Sequence, residues 1–320
     1  MQRLVDAQQP GPQPAGADWY DDYKTYDEVN TRLLGLESSF RDLATVFEVG
    51  VSIEGRSIYG IRISSDASEK PAFVIQGCQH AREWVTVMTV TYIAETLLEQ
   101  SMDPAIQLLL DRINFYIVPI VNPDGYAFSW DVERLWRKNR RNNGDGTFGV
   151  DLNRNWSYAW GGEGSSGSPQ SNTYRGTAPF SEPETAAVSA YITSLPDVRL
   201  HLDIHSYSQL VLQPWGFTLD LPPDHDTLDA FGEELVAEIS GVHGARYEHG
   251  PGAEILYVAS GIAGDWSYGE LGVPGLTYEL RDQGQFGFLL PPEQIIPTCE
   301  EIWAAMVYSG EWMVDPPFFK

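Results

Sequence analysis

Short, almost wholly apolar segments recur along this chain at 72–76, 114–121, 200–205 and 276–280, and stretches with helical spacing lie between them. Apolar runs of that length, without polar alternation, suit strands buried on both faces, as parallel strands are between two helical layers. The helical stretches are 25–40, 84–100, 104–112, 181–194, 228–241 and 292–313, and the segment 52–63 alternates like a strand about a turn at Gly55. The stretch 181–194 opens on Ser181-Glu182-Pro183-Glu184, which places Ser181 as the expected cap and acids in the first turn. Strands alternating with helices predict an α/β fold with a mostly parallel sheet covered on both faces.

The 320 residues allow one large domain or two modest ones. Residues 1–18 are rich in Gln, Pro and Gly and read as a disordered tail, and 19–320 read as continuously globular. The first residues contain no apolar stretch of the kind a signal peptide needs. No run approaches the roughly 20 apolar residues of a membrane span. The net charge of −25 argues against a nucleic-acid binder and against an anionic membrane surface as partner. Only Lys24, Lys70, Lys138 and Lys320 are lysines, and such an acidic surface suits a saline medium. Cys78 and Cys299 are far apart and read as two buried thiols.

The ends of the apolar runs carry the chemistry. His80-Ala81-Arg82-Glu83 follows the first run, and His205 ends the third. In an open α/β sheet, ligands bind beyond the carboxyl ends of the strands. Two imidazoles and one carboxylate leave a fourth position open, as in catalytic rather than structural zinc sites. Glu279 lies in the mostly apolar run 276–280, where a carboxylate must be paired, with Arg281 or another Arg, or functional. Five Arg or Lys residues fall between Arg134 and Arg141 in a chain poor in positive charge, which points to an anionic substrate or transition state. Asn153 and Arg154 together offer an amide and a planar fork suited to a carboxylate.

These pieces occur in order with Trp136-Arg137, Asp151-Leu152-Asn153-Arg154, His205-Ser206-Tyr207-Ser208-Gln209, Ile255-Leu256-Tyr257, Ala259-Ser260-Gly261, Asp265-Trp266-Ser267-Tyr268 and Thr277-Tyr278-Glu279-Leu280-Arg281-Asp282. From about Tyr20 to Met313 the chain resembles the zinc metallocarboxypeptidases of the pancreatic A/B type, the funnelins. The resemblance implies a single α/β domain with a mixed, mostly parallel, eight-stranded twisted sheet and helices on both faces. It implies one Zn2+ held by His80, Glu83 and His205, with Asp151 orienting the first histidine. Glu279 matches the general base and Arg137 the residue that stabilises the oxyanion. Asn153, Arg154 and Tyr257 match the groups that grip the substrate's terminal carboxylate, Tyr257 on a mobile loop. Arg82, Tyr207 and Phe288 match upstream subsites. Non-proline cis peptides are expected at Ser206–Tyr207, Pro214–Trp215 and Arg281–Asp282.

Leu212, Gly216, Gly252, Ala259, Gly264 and Thr277 match the pocket for the C-terminal side chain. Basic-specific members place an acid at the position of Gly264 or of Gly216, and aliphatic- or aromatic-specific members place Ile at that of Gly264. Glycine at both implies a wide, neutral, apolar pocket for large aromatic or aliphatic residues, with Glu254 nearby as a group that could meet a basic one. The implied partners are peptide or protein C-termini, met by a monomer, and the family's usual setting is extracellular. About 20 residues precede the matching segment, too few for the folded prosegment of the animal enzymes. The same scaffold also serves zinc hydrolases of cell-wall peptides or small acyl-amino acids, and a catalytically silent peptide binder would keep the fold.

Overall fold

A computed structural model of the chain describes residues 19–314, so the expected tail over 1–18 lies outside the described residues. Eight strands form one sheet: β1 (Ala44–Val51), β2 (Ser57–Ile63), β3 (Ala72–Gly77), β4 (Asn114–Val118), β5 (Val198–Ser206), β6 (Leu210–Gln213), β7 (Glu248–Pro251) and β8 (Gly275–Leu280). Their order is β1-β2-β4-β3-β5-β8-β6-β7. The centre, β4-β3-β5-β8, is parallel, whereas β1-β2, β2-β4 and β6-β8 are antiparallel. The edge pair β6-β7 is parallel as well; the sheet is thus mixed, as expected, and its parallel centre coincides with the four apolar runs.

Alternation along each central strand builds two cores. Phe73 and Ile75 of β3, with Phe115 and Ile117 of β4, enter one hydrophobic cluster, while Ala72, Val74, Tyr116 and Val118 enter the other. Successive side chains of a strand point to opposite faces, so a strand buried on both sides must be apolar throughout. The first face is covered by α1 (Tyr26–Ser39), α2 (Trp84–Glu99), α3 (Pro104–Arg112), α6 (His225–His243) and α8 (Ile295–Val314), and α5 (Pro183–Ser194) and α7 (Ala263–Leu271) cover the second. The apolar run expected as one strand over 114–121 is strand only to Val118, because Pro119 ends the ladder.

Several boundaries follow from capping. Thr25 caps α1 through a reciprocal pair with Glu28, Thr25 Oγ1 accepting from the Glu28 N–H and Glu28 Oε2 accepting from the Thr25 N–H at 2.8 Å. Helix α5 departs from expectation. Pro183 fixes its first turn, Glu182 occupies the cap position, and the Ser181 hydroxyl is instead engaged by Asn155 Nδ2 at 3.0 Å. The turn at Gly55 joins β1 to β2, so the alternating segment is the second half of a hairpin that begins at Ala44. Strands β6 and β7, α4 (Pro123–Asp131) and α7 carry no strong periodic signal; β7, Glu-His-Gly-Pro, holds residues that disfavour strands. No helix among the described residues is long and apolar enough to cross a membrane.

Candidate active site

The expected residues converge beyond the carboxyl ends of the parallel strands. Past Gly77 the chain turns through Cys78, at φ 58°, and presents His80 and then Glu83 at the entry to α2. The neighbouring strand, β5, carries His201, Asp203 and His205 on one face. His205 in turn pairs in register with Glu279 of β8. Parallel register puts both side chains on the same face, which brings two sequence segments more than seventy residues apart to one point.

His80, Glu83 and His205 offer ligand atoms that all lie within 4.8 Å of one another, and all three residues are buried. His80 Nδ1 is 2.8 Å from Glu83 Oε1, and His205 Nδ1 is 3.0 Å from both His80 Nδ1 and Glu83 Oε2. The far ring nitrogens face carboxylates: His80 Nε2 lies 3.0 Å from Asp151 Oδ1, and His205 Nε2 lies 2.8 Å from Asp203 Oδ2. A carboxylate at Nε2 keeps the ring proton there and turns the Nδ1 lone pair inward. Two inward lone pairs and a carboxylate form a donor set that fits zinc.

The electrostatics suit a cation. Burial pushes the Glu83 carboxyl upward, but the His80 and His205 rings outweigh it and hold its pKa low. Asp151 likewise stays well below the carboxylate range against its burial, because Arg137 and His80 face it. Arg137 donates to Asp151 Oδ2 from Nε at 3.1 Å and Nη2 at 2.8 Å. Glu279 behaves oppositely: burial and the neighbouring Glu83 charge raise its pKa to about 8. Arg281 pairs with Glu301 rather than with Glu279, so the strand carboxylate is left to the cavity.

One cavity of about 250 Å³ unites the site. It is lined by His80, Glu83, Arg137 and Glu279, by Asn153, Arg154 and Tyr257, and by Arg82, Tyr207 and Phe288. Every pocket position expected from the sequence, Leu212, Gly216, Gly252, Ala259, Gly264 and Thr277, lines the same space. Arg154 is nearly buried, with Nη1 donating to the Asn153 carbonyl at 2.6 Å and Nη2 3.4 Å from the hydroxyl of Tyr257, which is 53% exposed. The Arg82 guanidinium sits 3.9 Å from the Phe288 ring centroid. The peptides at Ser206–Tyr207, Pro214–Trp215 and Arg281–Asp282 are cis, as expected. Cys78 and Cys299 are buried and free.

Two readings change. Of the basic run, only Arg137 lines the cavity. Arg134 donates to the Arg82 and Phe288 carbonyls, Lys138 to the Pro169 carbonyl, Arg141 pairs with Glu182, and Arg140 stacks on Phe128. Glu254 is exposed and does not reach the pocket. Asp265 also lines the cavity, together with Ile262 and Leu256, its buried carboxylate accepting from the Gly216 and Phe217 N–H groups. Asp203, too, went unassigned in the sequence, although the two-residue spacing of His201, Asp203 and His205 could have placed it on the histidine face. Asp265 opens a helix, where an acid reads as an ordinary first-turn residue.

The family profile described as zinc carboxypeptidase matches residues 30–305. The chain belongs to that family. It is 42% identical to carboxypeptidase B of Astacus astacus over 93% of this chain and 99% of that protein. It is 36% identical to carboxypeptidase A1 of Sus scrofa over 93% of this chain and 72% of that one. The solved structure of thrombin activatable fibrinolysis inhibitor superposes with a TM-score of 0.92 at 33% identity, covering 98% of this chain and 80% of that one. That of carboxypeptidase A from Helicoverpa armigera gives 0.85 at 32%, covering 97% and 79%. This chain is a zinc metallocarboxypeptidase, and its relatives carry both A and B names.

Proposed function

We propose that the enzyme removes large aromatic or aliphatic residues from the C-termini of peptides and proteins, with the residues above in the following roles. His80, Glu83 and His205 would hold zinc, which when bound would supply Lewis-acid polarisation of the scissile carbonyl and a lowered pKa for water. Glu279 takes the proton from the attacking water and delivers it to the leaving nitrogen. Its raised pKa suits both halves of that task, since the group must give back what it takes. Arg137, held in plane by Asp151, meets the oxygen on which negative charge develops. Asn153, Arg154 and Tyr257 take the terminal carboxylate, and Tyr257 closes over it from its exposed loop. An internal peptide bond offers no such anion, which confines the enzyme to chain ends.

The observation that carries this reading is the shared cavity: the ligand cluster, Glu279, the Asn153–Arg154 pair and a pocket walled by Leu212, Leu256, Ala259 and Ile262 open onto one space. The deacylase and silent-binder alternatives leave either the carboxylate grip or Glu279 without a role. We also propose that the enzyme works as an extracellular monomer, in keeping with its family's usual setting. The test is release of the last residue from blocked dipeptides ending in Phe, Leu or Glu, with and without a chelator. Phe and Leu should leave fastest, the chelator should stop release and zinc should restore it. Glu leaving as fast as Phe would overturn the pocket assignment; no release by zinc-loaded protein would overturn the exopeptidase itself.

A further inference from the structure

Arg137 and Asp151 stand at the open end of an irregular hairpin. The Asn139 N–H donates to the Val150 carbonyl at 3.0 Å, the Gly149 N–H to the Arg141 carbonyl at 2.7 Å and the Asn143 N–H to the Thr147 carbonyl at 3.2 Å. In a regular antiparallel pair the Val150 N–H would return a bond to the Asn139 carbonyl. It goes instead to Asn139 Oδ1, at 2.8 Å, while the Asn139 carbonyl accepts from the Trp136 indole N–H at 3.2 Å. One amide side chain thus stands in for a backbone carbonyl, one residue from Asp151 and two from Arg137. The segments lie close together: a Cβ on Gly149, at φ +87°, would stand 2.6 Å from the Asn139 carbonyl.

The other end of that amide is fixed from behind. Asn139 Nδ2 donates to Glu182 Oε2 at 2.7 Å and to Glu184 Oε2 at 3.1 Å, and all three residues are fully buried. Only the nitrogen can donate to carboxylates and only the oxygen can accept from Val150, so the amide has one orientation. Both carboxylates belong to the start of α5, and each is held in turn, Glu182 by Arg141 and Glu184 by the Ile53 N–H at 3.0 Å. The Arg137 backbone has a second tie, its carbonyl accepting from the Ala81 N–H at 3.0 Å, inside the turn that carries His80 and Glu83. Asn139, Glu182 and Glu184 do not line the cavity.

We propose that Asn139 is a positioning residue for the reaction: by clasping the Arg137 segment to the Asp151 segment, and both to the start of α5, it fixes where the Arg137 guanidinium meets developing negative charge. This rests on the role given to Arg137 above and deepens it. Asn139 has no contact with the cavity, so its effect passes through the Arg137–Asp151 pair. A donor aimed at charge that appears only in the transition state acts by being in place beforehand, and its displacement costs turnover rather than substrate binding.

The experiment is a double-mutant cycle on the zinc-loaded full chain, with a blocked dipeptide ending in Phe as substrate and zinc content measured for each variant. Asn139→Ala should lower kcat about tenfold or more, with KM and the inhibition constant of benzylsuccinate changed less than about threefold. In an Arg137→Ala background the same substitution should cost less than about threefold, because the group it aims is gone. Asn139→Thr, which fills more of the space and keeps an oxygen on Cβ, should show the same pattern with a smaller loss, and it carries the cycle if Asn139→Ala does not fold. Equal losses with and without Arg137 would reduce Asn139 to a brace for the hairpin and overturn the proposal. So would an unchanged kcat in folded Asn139→Ala, or loss of zinc from it, which would assign the residue to the metal through Asp151 and His80. An Arg137→Ala enzyme with wild-type kcat would bring down the role of Arg137 and the proposal with it. No release by the zinc-loaded wild type would bring down the exopeptidase reading itself.

Discussion

Asp203 Oδ2 lies 2.8 Å from His205 Nε2, so the second metal histidine has a carboxylate behind it just as His80 has Asp151. Asp203 is itself fixed by Gln76 Nε2 at 3.0 Å and Gln79 Nε2 at 2.6 Å, which anchors the ring to two positions on and after β3. Removing such a partner typically costs about 10–100-fold in metal affinity. Asp203→Asn and Asp151→Asn are each expected to weaken zinc binding by about that factor, read by competition with a chromophoric chelator. Unchanged zinc affinity in Asp203→Asn, with folding intact, would mean that Asp203 serves only to tie the two glutamines.

Glu279→Gln should separate binding from chemistry. The amide fills the same space beside His205 but cannot accept and return a proton, so kcat should fall about 10²–10⁴-fold. The dissociation constant of a succinate inhibitor should change little. A variant that kept its kcat would show that proton transfer runs through another group.

The carboxylate grip predicts a distinction between free and amidated C-termini. The wild type should cleave a free-acid dipeptide and leave its C-terminal amide essentially untouched. Hydrogen bonds to a charged group contribute about 1.5–3 kcal/mol, so Arg154→Ala should lose about 10–100-fold in kcat/KM on the free acid. It should also lose most of the discrimination against the amide. If free acid and amide react alike in the wild type, Arg154 and Tyr257 grip something else.

Glu184 gives a pH prediction remote from the metal. It is fully buried beside Glu182, accepts from the Ile53 N–H at 3.0 Å and from Asn139 Nδ2 at 3.1 Å, and its pKa is raised by burial to about 7. Between the unfolded carboxylate pKa near 4.3 and that value, the folded state holds the extra proton, so stability falls as pH rises through this window. Melting temperatures at pH 5 and pH 8 should therefore differ less in Glu184→Gln than in the wild type. A constant offset at both pH values would show that Glu184 does not titrate in this range.

The parallel centre of the fold was legible because burial on both faces leaves an unmistakable apolar run, and the ligands were legible because they end those runs. The edges were not. Strand β7 contains His249, Gly250 and Pro251, and its place beside β6 is decided by tertiary pairing rather than by its own composition. The site divides in the same way. His80, Glu83, His205 and Glu279 stand out as polar residues where apolar ones belong. Asp203 was passed over because three polar residues in one strand drew attention only to the last. Asp265 stands in the run Asp265-Trp266-Ser267-Tyr268, but its partners, the Gly216 and Phe217 N–H groups, approach it only in the folded chain.

Thr277 and Glu279 sit one pleat apart on β8, and an alternate pair on a strand is spaced by about 6.6 Å. The same rigid rod therefore carries the wall of the selective pocket and the group assigned to proton transfer, and its neighbour β5 carries the second metal histidine opposite. Gly216, Ala259 and Gly264, by contrast, lie on the connections and helix entry that face this rod. The molecule separates a fixed gauge from an adjustable jaw. Substitutions in the jaw are expected to change which chain end is accepted without moving the gauge.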